Sequence, residues 1–276
     1  MPLPRDELER LQRLRELFLD EDRGAAPLPD YWRDARDLAA YDAVLGARIG
    51  WKWDAVLREC RDRGLARADG AVVLDWGCGT GVAARRFVAH FGAREVHCHD
   101  RSRAAMAFAV ERLREQAPAV QTHAARHIDD LAPDVLLVSH VLGELDDAGR
   151  DVLRALIARS RTVILVEPGS RAAARTLSAL RDEVLADFHV LAPCPHRGRC
   201  PTLANDHDWC HFFAAPPPAV FTTAYWAHAA AALGIDLRAL PYSFVALSRE
   251  PAAIPAPRQR GLGRADAGKH VASVQV

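Results

Sequence analysis

Apolar and polar positions recur with two different periods along this chain, and the change falls near residue 71. Before it, Leu8, Leu11, Leu14 and Phe18 repeat at helical spacing behind Asp6, which stands three residues ahead of Glu9 as a capping pair. Stretches 31–47 and 53–63 read as two more helices, divided near Gly50 and preceded by a connection holding Pro27 and Pro29. Residues 1–70 are therefore expected to form a helical leader. From Ala71 onward, short apolar runs end in polar or glycine-rich turns and alternate with helical stretches. Strands are expected at 72–74, 95–99, 120–123, 135–139 and 162–166, with helices at 82–91, 104–116 and 148–159. Such alternation builds an α/β fold with a doubly wound, mostly parallel sheet. A further helix at 171–188 and a last strand at 242–247 complete a domain assigned to 71–250. The basic tail, 251–276, mixes Pro, Gly and Arg and is expected to be flexible, with little regular structure.

Composition narrows this picture without directing it. The chain has 276 residues, half of them apolar, enough for one such domain plus extensions. Lys+Arg and Asp+Glu balance at 36 each, so net charge announces neither a nucleic acid nor a membrane partner. The N-terminus interleaves Asp6, Glu7, Glu9 and Glu16 with arginines, which fits neither a signal peptide nor a transit peptide. The most apolar long stretch, 219–235, falls short of the roughly 20 residues a spanning helix needs. No membrane partner and a cytoplasmic location are expected; the oligomeric state stays open. Six cysteines without a secretory context argue against a disulfide framework and for a metal or cofactor role of a local subset.

The loop Leu74-Asp75-Trp76-Gly77-Cys78-Gly79-Thr80-Gly81 follows a strand and opens a helix. Glycines there let backbone approach a ligand and turn sharply. The spacing is Gly-x-Gly-x-Gly, not the Gly-x-Gly-x-x-Gly of dinucleotide binding. Asp100 ends the second strand, 25 residues beyond Asp75, where a carboxylate can accept hydrogen bonds from ribose hydroxyls. The loop resembles the first motif of class I methyltransferases, which hold the methionine end of S-adenosylmethionine against it. Asp75, Gly77, Cys78, Gly79, Gly81 and Asp100 are the candidate cofactor residues, with Cys78 read as a small loop residue; Asp129 or Asp130 is a candidate for the adenine end, with an ordinary exposed turn as the favoured reading. After the fourth strand the chain reads Ser139-His140-Val141-Leu142-Gly143-Glu144, without the Asn-Pro-Pro-aromatic run of many base methyltransferases. His140 and Glu144 are candidate general bases there, weighed against purely structural roles.

Pro193-Cys194-Pro195-His196, Cys200-Pro201 and Trp209-Cys210-His211-Phe212 bring three cysteines and two histidines within 18 residues. Thiolates are the ligands iron-sulfur clusters prefer. Zinc can take the same atoms, with His196 or His211 as a fourth ligand. Buried free thiols are the third reading. Cys-x5-Cys-x9-Cys lacks both the tight Cys-x2-Cys knuckles of structural zinc sites and the Cys-x3-Cys-x2-Cys spacing of radical initiators.

Taken together, Tyr31-Trp32-x-x-Ala35-Arg36, Ala40-Tyr41, the glycine loop, 139–145, Glu167-Pro168-Gly169 and the three cysteine runs resemble one family over residues 31–249. It is the methyltransferase-like family of mitochondrial small-ribosomal-subunit assembly proteins and their bacterial relatives. The resemblance implies a class I methyltransferase fold (Rossmann-like) with a cysteine-rich insertion at 190–215. It also implies association with small-subunit ribosomal RNA or a ribosomal precursor, and a [4Fe-4S] site including Cys194, Cys200 and Cys210. Two departures stand out. The basic stretch that the family carries after Phe212 is replaced by Phe213-Ala214-Ala215-Pro216-Pro217-Pro218. The family's fourth cysteine, which follows a Gly/Lys-His-Val strand, has no counterpart after Gly268-Lys269-His270-Val271. A fourth ligand is then expected beyond Val276, or from a histidine, Cys60, Cys98 or an external thiolate. Three functions follow in order: a ribosomal RNA methyltransferase, a non-catalytic assembly factor with a retained cofactor site, and a small-molecule methyltransferase with structural zinc.

Overall fold

The computed structural model describes residues 2–19, 30–194, 196–253, 259–262 and 272–275. Three helices come first, α1 (Arg5–Leu19), α2 (Ala35–Tyr41) and α3 (Ala47–Asp62), the last two joined by a π-helical turn, Asp42–Gly46. Strands and helices then alternate: β1 (Val72–Trp76), α4 (Val82–Phe91), β2 (Glu95–His99), α5 (Arg103–Gln116), β3 (Gln121–Ala124), β4 (Val135–Ser139), α6 (Asp147–Arg159), β5 (Thr162–Pro168) and α7 (Arg171–Val184). They are followed by β6 (His189–Ala192), β7 (Phe212–Ala214), α8 (Ala224–Leu233) and β8 (Leu240–Ser248).

The sheet runs β3-β2-β1-β4-β5-β8-β6, with β7 paired to the start of β8. Pairing is parallel from β3 to β5, and β8 enters antiparallel between β5 and β6. The chain leaves β1 toward β2 on one side and returns through β4 on the other, which opens a crevice at the carboxyl ends of these strands. β1, β4 and β5 are buried almost throughout, because helices cover both faces; their apolar runs are accordingly continuous. β2 alternates instead, with Val96 and Cys98 packed in the core and Glu95, His97 and His99 half-buried on the other face. Among the described residues no helix is long and apolar enough to cross a membrane.

The leader departs from its sequence reading in two places. α1 begins at Arg5, so Asp6 lies in the first turn with Glu7, favourable to the helix dipole, and does not cap the helix. No break occurs at Gly50. It lies inside α3, where a Cβ would stand 2.7 Å from Nε of Arg86; glycine lets the α4 side chain cross the helix closely. Asp34 caps α2 by accepting the N–H groups of Arg36 and Asp37. The fully buried Asp37 carboxylate receives Arg10 at 2.7 Å, Arg13, and the N–H of Arg33 at 2.9 Å, which clasps α1 to α2. Leu3 and Leu11 pack with Ala229 and Leu233 of α8, and Leu14 packs with Trp32, Leu38 and Ala105 of α5.

The sequence pattern did not separate out β6, β7 and α8. β6 and β7 have only four and three residues, too few to show a period, and α8 is apolar on nearly all sides. The tail, expected to lack regular structure, contains two short strands, β9 (Gln259–Leu262) and β10 (Ala272–Gln275), paired antiparallel. The ladder of backbone hydrogen bonds needs no apolar pattern to form.

Candidate functional site

At the end of β1 the chain turns through 77–81 into α4, and backbone hydrogen bonds tie this turn to the end of β2. Gly77 and Cys78 both donate to the carbonyl of His99, at 2.8 and 3.0 Å. Gly79 donates to Oδ2 of Asp100 at 2.9 Å, while the N–H of Ser102 reaches Oδ1 at 2.9 Å. Gly77 and Gly79 have φ of 72° and 51°, in the left-handed region that glycine enters freely. Their surroundings differ. A Cβ on Gly77 would stand 2.5 Å from Cγ2 of Val141, whereas around Gly79 nothing lies within 4 Å. Gly77 is packed against the β4 turn, and Gly79 shows bare backbone to open space.

That space is a cavity of about 740 Å³ at the carboxyl ends of β1 and β4. Gly77, Cys78, Gly79 and Asp100 line one side of it. Burial raises the Asp100 carboxyl above its usual range, opposed by the N–H groups of Ser102 and Gly79. Asp75 and Gly81, expected with this group, do not line the cavity. Asp75 is fully buried beneath the loop, where Oδ2 accepts the N–H of Ala84 at 3.1 Å and Oδ1 has no partner among the described residues. Burial pushes it up to about 7. From the strand end it braces the start of α4. Asp129 and Asp130 are exposed and also lie off the cavity wall.

A further wall comes from the leader. Phe18, Tyr31, Trp32 and Tyr41 form an edge-to-face cluster, with Phe18–Tyr31 centroids 5.0 Å apart and Trp32–Tyr41 5.2 Å. Arg101 lies 5.3 Å over the Tyr31 ring and 3.3 Å from Glu144. Burial raises both tyrosine phenols, so they stay neutral. Glu144 therefore reaches the cavity paired to a guanidinium.

His140 sits at the cavity end with φ of 57°, the one non-glycine residue of positive φ among the described residues. The turn is held from β5: His140 N–H donates to the Val166 carbonyl at 2.9 Å, and Val141 and Leu142 donate to Oε1 of Glu167 at 3.0 and 3.2 Å. The imidazole stands 3.5 Å from Nζ of Lys52 and 3.4 Å from Oγ of Ser139, which accepts the Trp53 indole N–H at 2.9 Å. Burial drives His140 well below its ordinary value, with Lys52 adding to the shift, so the imidazole is neutral. Burial likewise lowers Lys52 to about 8 and raises Glu167 to about 7. Sequence reasoning missed Lys52, whose signal was a lysine between Trp51 and Trp53 on the apolar side of a helix. Glu167 entered only as part of the family resemblance.

The cysteines are brought near one another but not into a metal site. Cys194 follows β6, Cys200 precedes a 3-10 turn at Pro201–Ala204, and Cys210 precedes β7. Arg181 of α7 is buried beneath them and donates to the carbonyls of His196 and Gly198 at 2.9 Å each. Its neighbour Asp182 accepts the Cys200 N–H at 2.9 Å. Burial raises the Cys194 thiol and pushes Cys210 up to about 12, and both other cysteines act electrostatically on Cys210. Yet among the described residues no group of three or more His, Cys, Asp or Glu side chains stands where it holds a metal ion. Cys200 Sγ faces Oγ1 of Thr202 at 3.2 Å instead. Cys200 is buried while Cys194 and Cys210 are partly exposed, and the expected cluster geometry is not formed among them. Of the suggested substitutes, Cys60 and Cys98 are fully buried in the sheet core, Cys98 against Cys78. The segment 268–271 lies outside the described residues.

A family model described as "Mitochondrial small ribosomal subunit Rsm22" matches residues 54–258. A search of the curated proteins finds no match. Among solved structures, the chain is similar to a proposed RNA methyltransferase from Pyrococcus horikoshii at 16% identity, covering 86% of this chain and 96% of that one with a TM-score of 0.43. It is also similar to the magnesium protoporphyrin IX methyltransferase of Synechocystis PCC 6803 with bound SAM, at 12% identity, covering 91% and 100% with a TM-score of 0.45.

Proposed function

The chain belongs to the Rsm22 family, and from that membership we propose that it is an S-adenosylmethionine-dependent methyltransferase-like protein acting on small-subunit ribosomal RNA during subunit assembly. The observation that carries the reading is the junction of Gly79 with Asp100, beside which bare backbone faces an open cavity. The residues present fit the cofactor. Asp100 lines the cavity with a carboxylate suited to ribose hydroxyls, and Gly79 beside it leaves backbone bare toward the cavity where a side chain would intrude. When bound, the cofactor supplies a methyl group on a sulfonium sulfur, ready for in-line transfer to a nucleophile.

The chain's own residues supply orientation and proton management. His140, neutral and at the cavity end, is the group placed to accept the proton released by the acceptor atom. Glu167 holds the backbone turn that aims His140. Phe18, Tyr31, Trp32 and Tyr41 exclude water from the leader's side of the cavity.

The rival reading, a non-catalytic assembly factor, is favoured by the absence of an Asn-Pro-Pro-aromatic run at Ser139–Leu142 and by the wedging of His140 between Lys52 and Ser139. Titration calorimetry with S-adenosylmethionine, followed by crosslinking and sequencing of bound RNA and assay of methyl incorporation, separates the two. Well-folded protein that binds no cofactor would exclude both.

The same reading extends to an iron-sulfur cluster on Cys194, Cys200 and Cys210, with zinc as the alternative metal. The run of three cysteines between 194 and 210 and the resemblance described for it carry this part of the proposal. Three thiolates leave one cluster position for a fourth ligand.

A further inference from the structure

Trp209, His211 and Phe213 alternate along the extended segment that enters β7, so all three rings fall on one side, while Phe212 points the other way onto Tyr242 and Phe244. Trp209 and His211 are stacked at 5.1 Å with planes 22° apart, and Phe213 meets His211 at 5.4 Å. Phe213 is 56% exposed, unusual for so large an apolar side chain. The row starts beside the cavity wall: the Trp209 indole N–H donates to the Gly169 carbonyl at 3.1 Å, and Pro168 and Ser170 on either side of Gly169 line the cavity. Arg171, exposed on the first turn of α7, lies two residues farther on.

We propose that this row is a stacking platform for unpaired RNA bases flanking the nucleotide presented to the cavity, with Arg171 meeting the adjoining phosphate. The proposal rests on the RNA reading given above and adds where and how the strand is held. Every base offers a flat face to an aromatic ring regardless of sequence, and unpaired RNA is recognised largely in this way. The chain is suited to this mode because Phe213-Ala214-Ala215-Pro216-Pro217-Pro218 offers no cation for phosphate contact. Rings at strand spacing, continuous with a cavity and adjoining one exposed guanidinium, match a short single strand. A duplex hides its base faces and gains nothing from them.

The test is fluorescence anisotropy of a labelled, unstructured short RNA and of a blunt duplex, with wild type, Phe213→Ala, His211→Ala and Phe213→Trp. Exposure of Phe213 means its replacement leaves the melting temperature and the affinity for S-adenosylmethionine unchanged. Phe213→Ala is expected to weaken single-strand binding roughly tenfold, with Phe213→Trp restoring it and duplex binding unmoved. If both alanine variants hold single strands as tightly as wild type, the platform is refuted while the RNA reading stands. If wild type binds neither short RNA nor small-subunit ribosomal RNA, the platform and the RNA reading fall together.

Discussion

The N–H of Gly79 and the carboxylate of Asp100 meet at 2.9 Å, so one acidic side chain both fixes the glycine turn and borders the cavity. Asp100→Ala removes both functions. Losing a charged partner to a hydroxyl costs about 1.5 to 3 kcal/mol, so affinity for S-adenosylmethionine should fall tenfold to a hundredfold on that order. Calorimetry giving wild-type affinity would remove Asp100 from the site.

Gly77 and Gly79 share a backbone region and differ in what surrounds them, which separates stability from binding. Forcing a Cβ into left-handed backbone costs roughly 1–2 kcal/mol at either position. At Gly77 the new carbon also collides with Val141, so Gly77→Ala should lower the melting temperature by at least about twice as much as Gly79→Ala. Gly79→Ala should stay folded and lose cofactor affinity. Equal melting temperatures in the two variants would contradict the packing described.

Asp75 makes stability depend on pH in a direction opposite to that of a salt-bridged carboxylate. Its folded value is about 7, against about 3.9 when unfolded. Between those values the folded state keeps a proton that the unfolded state has released, so stability falls as pH rises through the window. Asp75→Asn removes this contribution. The melting-temperature difference, variant minus wild type, should rise from about pH 4 and level off above about pH 7. Glu167, raised to about 7 by burial, keeps the same dependence in both proteins and cancels in the difference. A difference that is flat with pH would contradict the burial of an ionisable Asp75.

His140→Asn keeps a residue that accepts positive φ, so the turn and cofactor affinity should survive. Methyl incorporation into small-subunit RNA should drop by about 10²–10⁴ if the imidazole takes the proton. Full transfer by the variant would leave His140 with only its part in shaping the turn.

For the cysteines, anaerobic reconstitution followed by iron, sulfide and zinc analysis is expected to give iron with sulfide, and Cys194→Ser is expected to lose it. Stoichiometric zinc without iron in wild type would overturn the cluster. Because binding and folding of such a loop are coupled, Cys194→Ser should also lower the loop's resistance to proteolysis in the loaded protein.

Much of the fold was legible because its signals are local and periodic. The runs at Glu95–His99 and Val135–Ser139 and the helix Val82–Phe91 follow from patterning alone, since an alternating strand, a strand covered on both faces and a helix covered on one leave different periods. The Gly79–Asp100 pair was legible through motif spacing. Lys52 was not: its neighbour His140 is 88 positions away, and only the packing of α3 over the end of β4 brings them together. Asp75 shows the reverse limit. Its place in a motif suggested ligand contact, but strand alternation turned it under the loop, a matter of one residue's orientation.

The Asp37 clasp has a bearing on how this molecule reports its own occupancy. That carboxylate is covered in the folded chain and holds Arg10 and Arg13 from α1, so releasing α1 would break both ion pairs together. The same helix supplies Phe18 to the aromatic wall. Docking of the first helix and integrity of that wall are thus one cooperative event, separable from opening of the sheet. Amide exchange in 5–19 should slow when the cavity fills and quicken at high salt, giving a remote gauge of ligand binding.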